Sequence, residues 1–175
     1  GDVIAAIRKA AGESDSKPAL AIRQLILALQ WSRNQNFETG EGLALAKISR
    51  WYFGNDLDKT ISHALAAASI FERIKAEPSD LAEVHLLLAE AYDETGKTDS
   101  SAYYYYRLEQ EVGNSTTLDP EFAQVVYTKL AIFWININSI FNSSNDPHEA
   151  AKRFVEKARE ASLKVADKEK GRISL

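Results

Sequence analysis

The stretch LAEAYDETGK at residues 88–97, followed by Ser101 and Tyr105, decides the fold of this chain. A Leu–Ala pair opens the stretch, Tyr92 follows three residues after the Ala, and Gly96 lies four residues beyond the Tyr. Small residues allow two helices to approach, large aromatic side chains fill the space beside them, and glycine permits a tight turn. This spacing predicts two antiparallel helices joined by a short turn.

The rest of the chain also has the periodicity of helices. Apolar residues recur at intervals of three and four, as in the stripe Leu81, Val84 and Leu88, and no long stretch alternates apolar and polar residues. Proline is tolerated in the first turn of a helix and disrupts later turns, so each proline predicts a helix start. The four prolines are Pro18, Pro78, Pro120 and Pro147. We therefore predict an all-α fold.

The Leu–Ala frame can be placed at four points with a nearly constant period. Equivalent positions are Ala6, Ile48, Leu88 and Leu130, separated by 42, 40 and 42 residues. Such regularity indicates repeated supersecondary units that stack against their neighbours. We predict one domain over 1–175, with repeats at about 1–34, 36–76, 79–113 and 119–167, and a truncated further helix beginning at 168–175.

These features resemble the tetratricopeptide repeat, most closely in the unit at 81–112. The resemblance implies a right-handed superhelix of antiparallel helical hairpins, an α-solenoid of about three to four repeats. It also implies that the first helix of each repeat lines a concave groove. The period here exceeds the usual length of about 34 residues. Two further departures are His85, where the repeat usually carries Trp, and a predicted loop from Ile137 to Pro147.

Composition excludes several functional classes. The net charge of -4 does not favour nucleic acid or an anionic membrane, and without cysteine there are no disulfides or thiolate metal sites. No apolar run approaches the roughly 20 residues that span a bilayer, and no signal peptide is recognisable. A chain without Met that opens on Gly is expected to be a piece of a longer protein. Acids dominate between Asp80 and Glu121, which fits either a solvated face or a basic partner.

No catalytic, metal or cofactor motif is apparent. His63, His85 and His148 lack the spacing of metal ligands, and we expect His85 to be a satisfied structural histidine. No nucleophile motif such as GxSxG occurs, so we predict that the chain is not an enzyme and holds no cofactor or metal. The lone GxG at 40–42 follows one predicted helix and precedes another, which favours a turn over a phosphate loop.

The run Tyr103-Tyr104-Tyr105-Tyr106 cannot all face one core, because successive helical residues are rotated by about 100°. Tyr105 occupies the predicted packing position. At least one other ring should lie at a seam between repeats or on the surface, where Tyr is suited to binding. Packing and binding both remain open for these other rings.

The resemblance also implies which side chains face the groove, namely those two before, two after and five after the Leu of each pair. These positions hold Ile4 and Arg8 in the first repeat, Ala46, Arg50 and Phe53 in the second, Leu86, Glu90 and Asp93 in the third, and Thr128, Ile132 and Ile135 in the fourth. Carboxylates in the third repeat would repel an acidic chaperone tail. The groove instead suits an apolar segment with a basic residue.

By this resemblance the chain is a protein- or peptide-binding module, the sensory or regulatory region of a larger bacterial signalling protein such as a histidine kinase or transcription regulator. The alternative is a free-standing adaptor or assembly scaffold. This domain is expected to contact neither nucleic acid nor membrane. A bacterial cytoplasm or periplasm both fit the sequence, and the ligand and oligomeric state stay open.

Overall fold

Each of the four prolines is the first residue of a helix in the computed structural model, which describes residues 2–114, 118–140 and 147–173. Within these ranges the chain forms eight helices and no strand, which confirms the all-α prediction. The helices are α1 (Val3–Gly12), α2 (Pro18–Asn34), α3 (Glu38–Tyr52), α4 (Leu57–Ile74), α5 (Pro78–Glu94), α6 (Thr98–Asn114), α7 (Pro120–Ile140) and α8 (Pro147–Ile173).

Aspartate caps mark three helix starts, one of which also begins with a proline, because a carboxylate can accept the backbone N–H groups that the first turn leaves without partners. Asp2 accepts from the amides of Ile4 and Ala5 at the start of α1. Asp56 accepts from the amide of Lys59 at 3.0 Å and begins α4. The same cap recurs before α7, where Asp119 accepts from two amides of the first turn.

The turns follow a pattern that repeats along the chain. Gly54 (φ 86°) lies in the turn between α3 and α4, and Gly96 (φ 70°) lies in the turn between α5 and α6. The turns that lead into α3 and α5 instead place Asn36 and Lys75 at φ 52°. Left-handed backbone thus ends or follows four successive helices, which reverses the chain direction each time.

The chain divides into two compact units, Gly1–Ser115 and Thr116–Leu175, and each is described by itself. In the first unit each helix from α1 to α5 packs against the helix that follows it along the chain. The first helices of successive pairs also contact each other, α1 with α3 and α3 with α5. This packing is consistent with a helical repeat. The single domain over 1–175 and its repeat boundaries stay predictions.

Small residues allow α3 to approach α4 closely. The Ser49 hydroxyl is fully buried and donates a 2.7 Å hydrogen bond to the backbone carbonyl of Thr60. A Cβ atom on Gly42 would lie 2.6 Å from the ring of Phe71. The GxG at 40–42 is therefore not a turn, as the sequence had predicted, but the buried first turn of α3, where side chains do not fit.

An aromatic stack recurs in the second and third helix pairs. The ring of Tyr52 stacks on His63 at 5.6 Å, and the ring of Tyr92 stacks on Tyr104 at 5.6 Å. In each pair a lysine amine lies over the first tyrosine, at 5.0 Å in one and 5.7 Å in the other. The two hairpins thus share a stacked ring and a lysine on the corresponding tyrosine, although the partner ring is a histidine in one and a tyrosine in the other.

The second unit is the hairpin of α7 and α8. Val126, Leu130 and Phe154 are its most buried apolar side chains, and the ring of Phe154 stacks on Tyr127 at 6.2 Å. Near the far end of α8 the Lys168 amine lies 3.2 Å from the carboxylate of Asp119. This ion pair links the start of α7 to the last turns of α8.

Two boundaries in this unit differ from those predicted. The loop predicted from Ile137 to Pro147 is helical over 137–140, because no proline or glycine stops α7 there, and Pro147 is already in α8. The remainder of that loop, 141–146, lies outside the described residues. Residues 168–173 continue α8 and do not begin a further helix, because the charged residues before them favour helix without interruption.

Candidate functional site

Two candidate residues, Arg50 of α3 and Glu90 of α5, belong to a row of ion pairs that joins the two helices. Lys47 on α3 donates to both carboxylate oxygens of Glu83 on α5, at 2.5 and 2.7 Å. Further along, Arg50 lies 3.6 Å from the carboxylate of Glu90. Of the two carboxylates that the sequence predicts on this face of α5, Glu90 lies beside a base of α3 and Asp93 does not.

Asp80 of α5 lies beside this row and is influenced by charges from α1 and α3. Burial raises the pKa of the Asp80 carboxyl, and the nearby Glu83 charge adds to this effect. Lys47 and Arg8 act in the opposite direction and favour the carboxylate. Arg8 is exposed, as expected for a groove residue, and its charge acts on the same acidic group as the charge of Lys47.

Arg50 and Phe53 form a second contact within the candidate set. The guanidinium of Arg50 lies 5.5 Å from the centre of the Phe53 ring. Phe53, however, is not on the helix as its register predicted, since α3 ends at Tyr52 and Phe53 has extended backbone (φ -57°, ψ 129°). Its ring still supports the guanidinium from the turn that follows the helix.

A pocket of about 520 Å³ opens beside this contact. It lies among the end of α1, the turn into α2, and the end of α3. Its lining residues are Ala11, Ser14, Asp15, Pro18, Leu25, Lys47, Arg50, Trp51, Phe53 and Asn55. Half of these residues are apolar and half are polar or charged, so the pocket offers both apolar contact and hydrogen-bonding groups to a ligand.

The third helix pair differs from the prediction at one position. Leu86 retains only 5% exposure, so it serves packing and offers no surface to a ligand. The Glu90 side chain is 14% exposed and faces both Arg50 and Tyr105. Burial raises the pKa of the Tyr105 hydroxyl, and the charges of Glu90 and Asp93 raise it further. Asp93 is exposed and makes no ion pair with a described residue.

The three candidates on α7 belong to the second unit. The hydroxyl of Thr128 donates to the carbonyl of Gln124 at 2.8 Å, within its own helix. Ile132 and Ile135 are 48% and 56% exposed. These isoleucines therefore lie at the surface of α7, and their position in a groove stays a prediction.

The tyrosine run divides as the helical rotation requires. Tyr105 is 8% exposed and takes the packing position, which confirms the prediction. Tyr104 stacks on Tyr92, while Tyr103 and Tyr106 are 53% and 43% exposed. The prediction that at least one of the other rings reaches the surface is also confirmed.

His85 is buried, at 1% exposure, but it is not satisfied as the sequence analysis expected. Its Nδ1 has no hydrogen-bond partner among the described residues. Burial, joined by the positive charge of Arg107, lowers the pKa of His85 to about 4, so the ring is neutral near pH 7. His63 differs, since its Nδ1 lies 2.7 Å from the carbonyl of Lys59.

Sequence reasoning missed four polar or aromatic residues of the pocket, which are Ser14, Asp15, Trp51 and Asn55. Three of them lie in turns or beyond a helix end, where a fixed helical register gives no position. Trp51 was detectable in principle, as a large aromatic side chain one residue before the end of α3. Among the described residues no group of three or more metal-ligating side chains occurs.

None of the helices in the described part of the chain is long and apolar enough to cross a membrane. Comparison with protein-family models, with curated proteins and with solved structures finds no match to this chain.

Proposed function

We propose that this chain is a protein-binding module of the helical-repeat class, in which the first helices α1, α3 and α5 form the binding face. More particularly, we propose a tetratricopeptide-type domain with a right-handed superhelical twist, serving as the regulatory region of a larger bacterial signalling protein. The recurring hairpins, the contacts between first helices and the repeated aromatic stacks support the class. The motif at 88–97 supports the particular type.

The pocket among α1, α2 and α3 carries this proposal. Its volume of about 520 Å³ accommodates a large apolar side chain with the backbone around it. Pro18, Trp51 and Phe53 provide apolar walls, while Ser14 and Asn55 are placed to hydrogen-bond a peptide backbone. An anchor in such a pocket typically contributes most of the binding energy of a peptide.

The charged side chains of α3 and α5 indicate which other residue the ligand carries beside its apolar anchor. Glu83 and Glu90 are engaged by Lys47 and Arg50, so a basic ligand residue gains little from them. Asp93 is the exposed candidate carboxylate without an ion pair among the described residues, and it is the acceptor for that basic residue. The preferred ligand is thus a short segment with one large apolar anchor and one Lys or Arg.

The test is selection of a library of short phage-displayed peptides on the purified chain, followed by fluorescence anisotropy with the selected peptides. Ser14→Trp fills the pocket and should abolish binding, whereas Ser62→Trp at an exposed position of α4 should leave it unchanged. Asp93→Lys should weaken binding of basic peptides selectively. If the selected peptides bind Ser14→Trp as tightly as the unaltered chain, the pocket is not the binding site.

A further inference from the structure

Helix α2 exposes an unusual amount of apolar side chain for a surface helix. Leu20, Leu27 and Trp31 are 44%, 55% and 48% exposed, and Ile26 is 41% exposed. The other second helices of the first unit expose less: α4 exposes Leu65 alone among its large hydrophobics, and α6 exposes two tyrosines with polar tips. Single exposed apolar residues are ordinary, but a group on one helix indicates an interaction surface.

Three of these side chains are aligned on one face. Leu20, Leu27 and Trp31 are separated by seven and four residues, which places them on one side of a helix over roughly 16 Å at 1.5 Å per residue. Arg23 lies between the two leucines on the same face. We name these four residues the α2 stripe. A linear apolar stripe with one charge matches the ridge of another amphipathic helix.

The charge of α2 indicates what kind of helix would bind there. From Pro18 to Asn34 the helix contains two arginines and no acid. Arg33 is already paired with Glu41 of α3 at 2.8 Å, whereas Arg23 makes no ion pair with a described residue. An exposed cation amid apolar side chains is best satisfied by a carboxylate of the partner.

The same charge argues against two other occupants. Two α2 helices packed face to face would bring arginines together without any acid of α2 to offset them. An anionic membrane attracts Arg23 and Trp31, but the chain as a whole carries a net charge of -4 and is repelled. An acidic amphipathic helix is the occupant that both the stripe and its charge favour.

We propose that the α2 stripe is a second docking surface, which binds an amphipathic helical segment of a partner protein with carboxylates flanking its apolar face. This surface is distinct from the pocket among α1, α2 and α3, since no stripe residue lines that pocket. The apolar residues provide affinity through burial, and Arg23 fixes the orientation and selects acidic over basic partners.

The probe is a fluorescein-labelled synthetic helical peptide with leucines on one face and glutamates beside them, compared with a peptide carrying lysines in place of the glutamates. Fluorescence anisotropy with the whole chain should show tighter binding of the glutamate peptide. Leu27→Gln with Trp31→Gln should weaken it about tenfold or more. The matched control Leu65→Gln, on the exposed side of α4, should leave binding unchanged. Arg23→Glu should reverse the preference between the two peptides.

Equal binding of the two peptides, or full binding by the doubly substituted chain with an unchanged circular dichroism spectrum, would overturn the proposal. Two further measurements test the rival occupants. Co-sedimentation with phosphatidylcholine–phosphatidylserine vesicles that is lost in the double variant would assign the stripe to a membrane. If analytical ultracentrifugation shows a dimer that is absent in the double variant, the α2 stripe is an interface with a second copy of the chain. Retention of peptide binding by Ser14→Trp separates this surface from the pocket.

Discussion

The guanidinium of Arg50 lies 3.6 Å from the carboxylate of Glu90, so two residues that one register predicted to face a ligand face each other. Lys47 and Glu83 repeat this relationship at shorter distance along the same two helices. The ion pairs connect α3 to α5, the first helices of successive hairpins. Charges of this face thus pair between α3 and α5, which leaves the pocket and Asp93 as the groups available for the binding proposed above.

Double-mutant cycles should rank the two ion pairs. The Arg50 side chain is 58% exposed and its distance to Glu90 exceeds that of a hydrogen bond, so their coupling free energy should stay below about 0.5 kcal/mol. Lys47 and Glu83 are less exposed and share two hydrogen bonds, so their coupling should reach about 1 kcal/mol. Urea denaturation of the single and double variants, with glutamine in place of each charged residue, measures both coupling free energies. A stronger Arg50–Glu90 coupling would contradict this ranking.

Gly42→Ala should destabilise the first unit by about 1–3 kcal/mol through overpacking. The new Cβ would lie 2.6 Å from Phe71, a ring that is 1% exposed and has no room to withdraw. Gly12→Ala is the matched control, because no atom lies within 4 Å and a helical alanine should stabilise by about 0.5 kcal/mol. The midpoints of urea denaturation compare the stabilities of the two variants. Equal midpoints for the two variants would show that the Phe71 ring moves aside without a loss of folding stability.

The helices were predictable from the sequence because their signals are local. Pro18, Pro78, Pro120 and Pro147 mark starts by removing a backbone donor, whatever the neighbouring helices are. Helix ends were less predictable, since the polar segment after Ile137 contains no residue that forces a stop.

The candidate site was only partly predictable. The register placed Arg50 and Glu90 on one face, but their pairing depends on how α3 packs against α5. Leu86 fits the same register and is buried, since burial depends on neighbours in space and not on spacing in sequence. Phe53 was misplaced because a helical register ends with the helix at Tyr52. The pocket was not predictable, because part of its lining comes from the turn between α1 and α2, and a helical register does not place the residues of a turn.

Asp119→Ala should loosen the start of α7, because Asp119 accepts hydrogen bonds from the amides of Glu121 and Phe122. The expected cost is about 1 kcal/mol, as for other helix caps. Asp119→Asn retains the cap and loses only the charge that pairs with Lys168, so its effect should be smaller. Hydrogen exchange of the first turn of α7 measures both. Equal exchange in the two variants would assign the effect to the ion pair.

Acid should destabilise the chain through His85. Burial and the charge of Arg107 lower its pKa to about 4, against 6.5 for an unperturbed histidine. Between these values the unfolded chain binds a proton that the folded chain does not, so stability is intact above about pH 6.5 and falls as the pH approaches 4. From about pH 7 to about pH 5 the loss should be about 2 kcal/mol.

His85→Gln isolates this contribution, because it removes the titrating ring and leaves every carboxylate of the chain in place. Asp80, whose pKa is raised by burial, and the other acids then contribute equally to both proteins. Urea midpoints at several pH values should therefore decline more steeply below about pH 6.5 for the unaltered chain than for the variant. Parallel declines would mean that His85 accepts its proton in the folded state as readily as in the unfolded state, with Arg107 turned away from the ring.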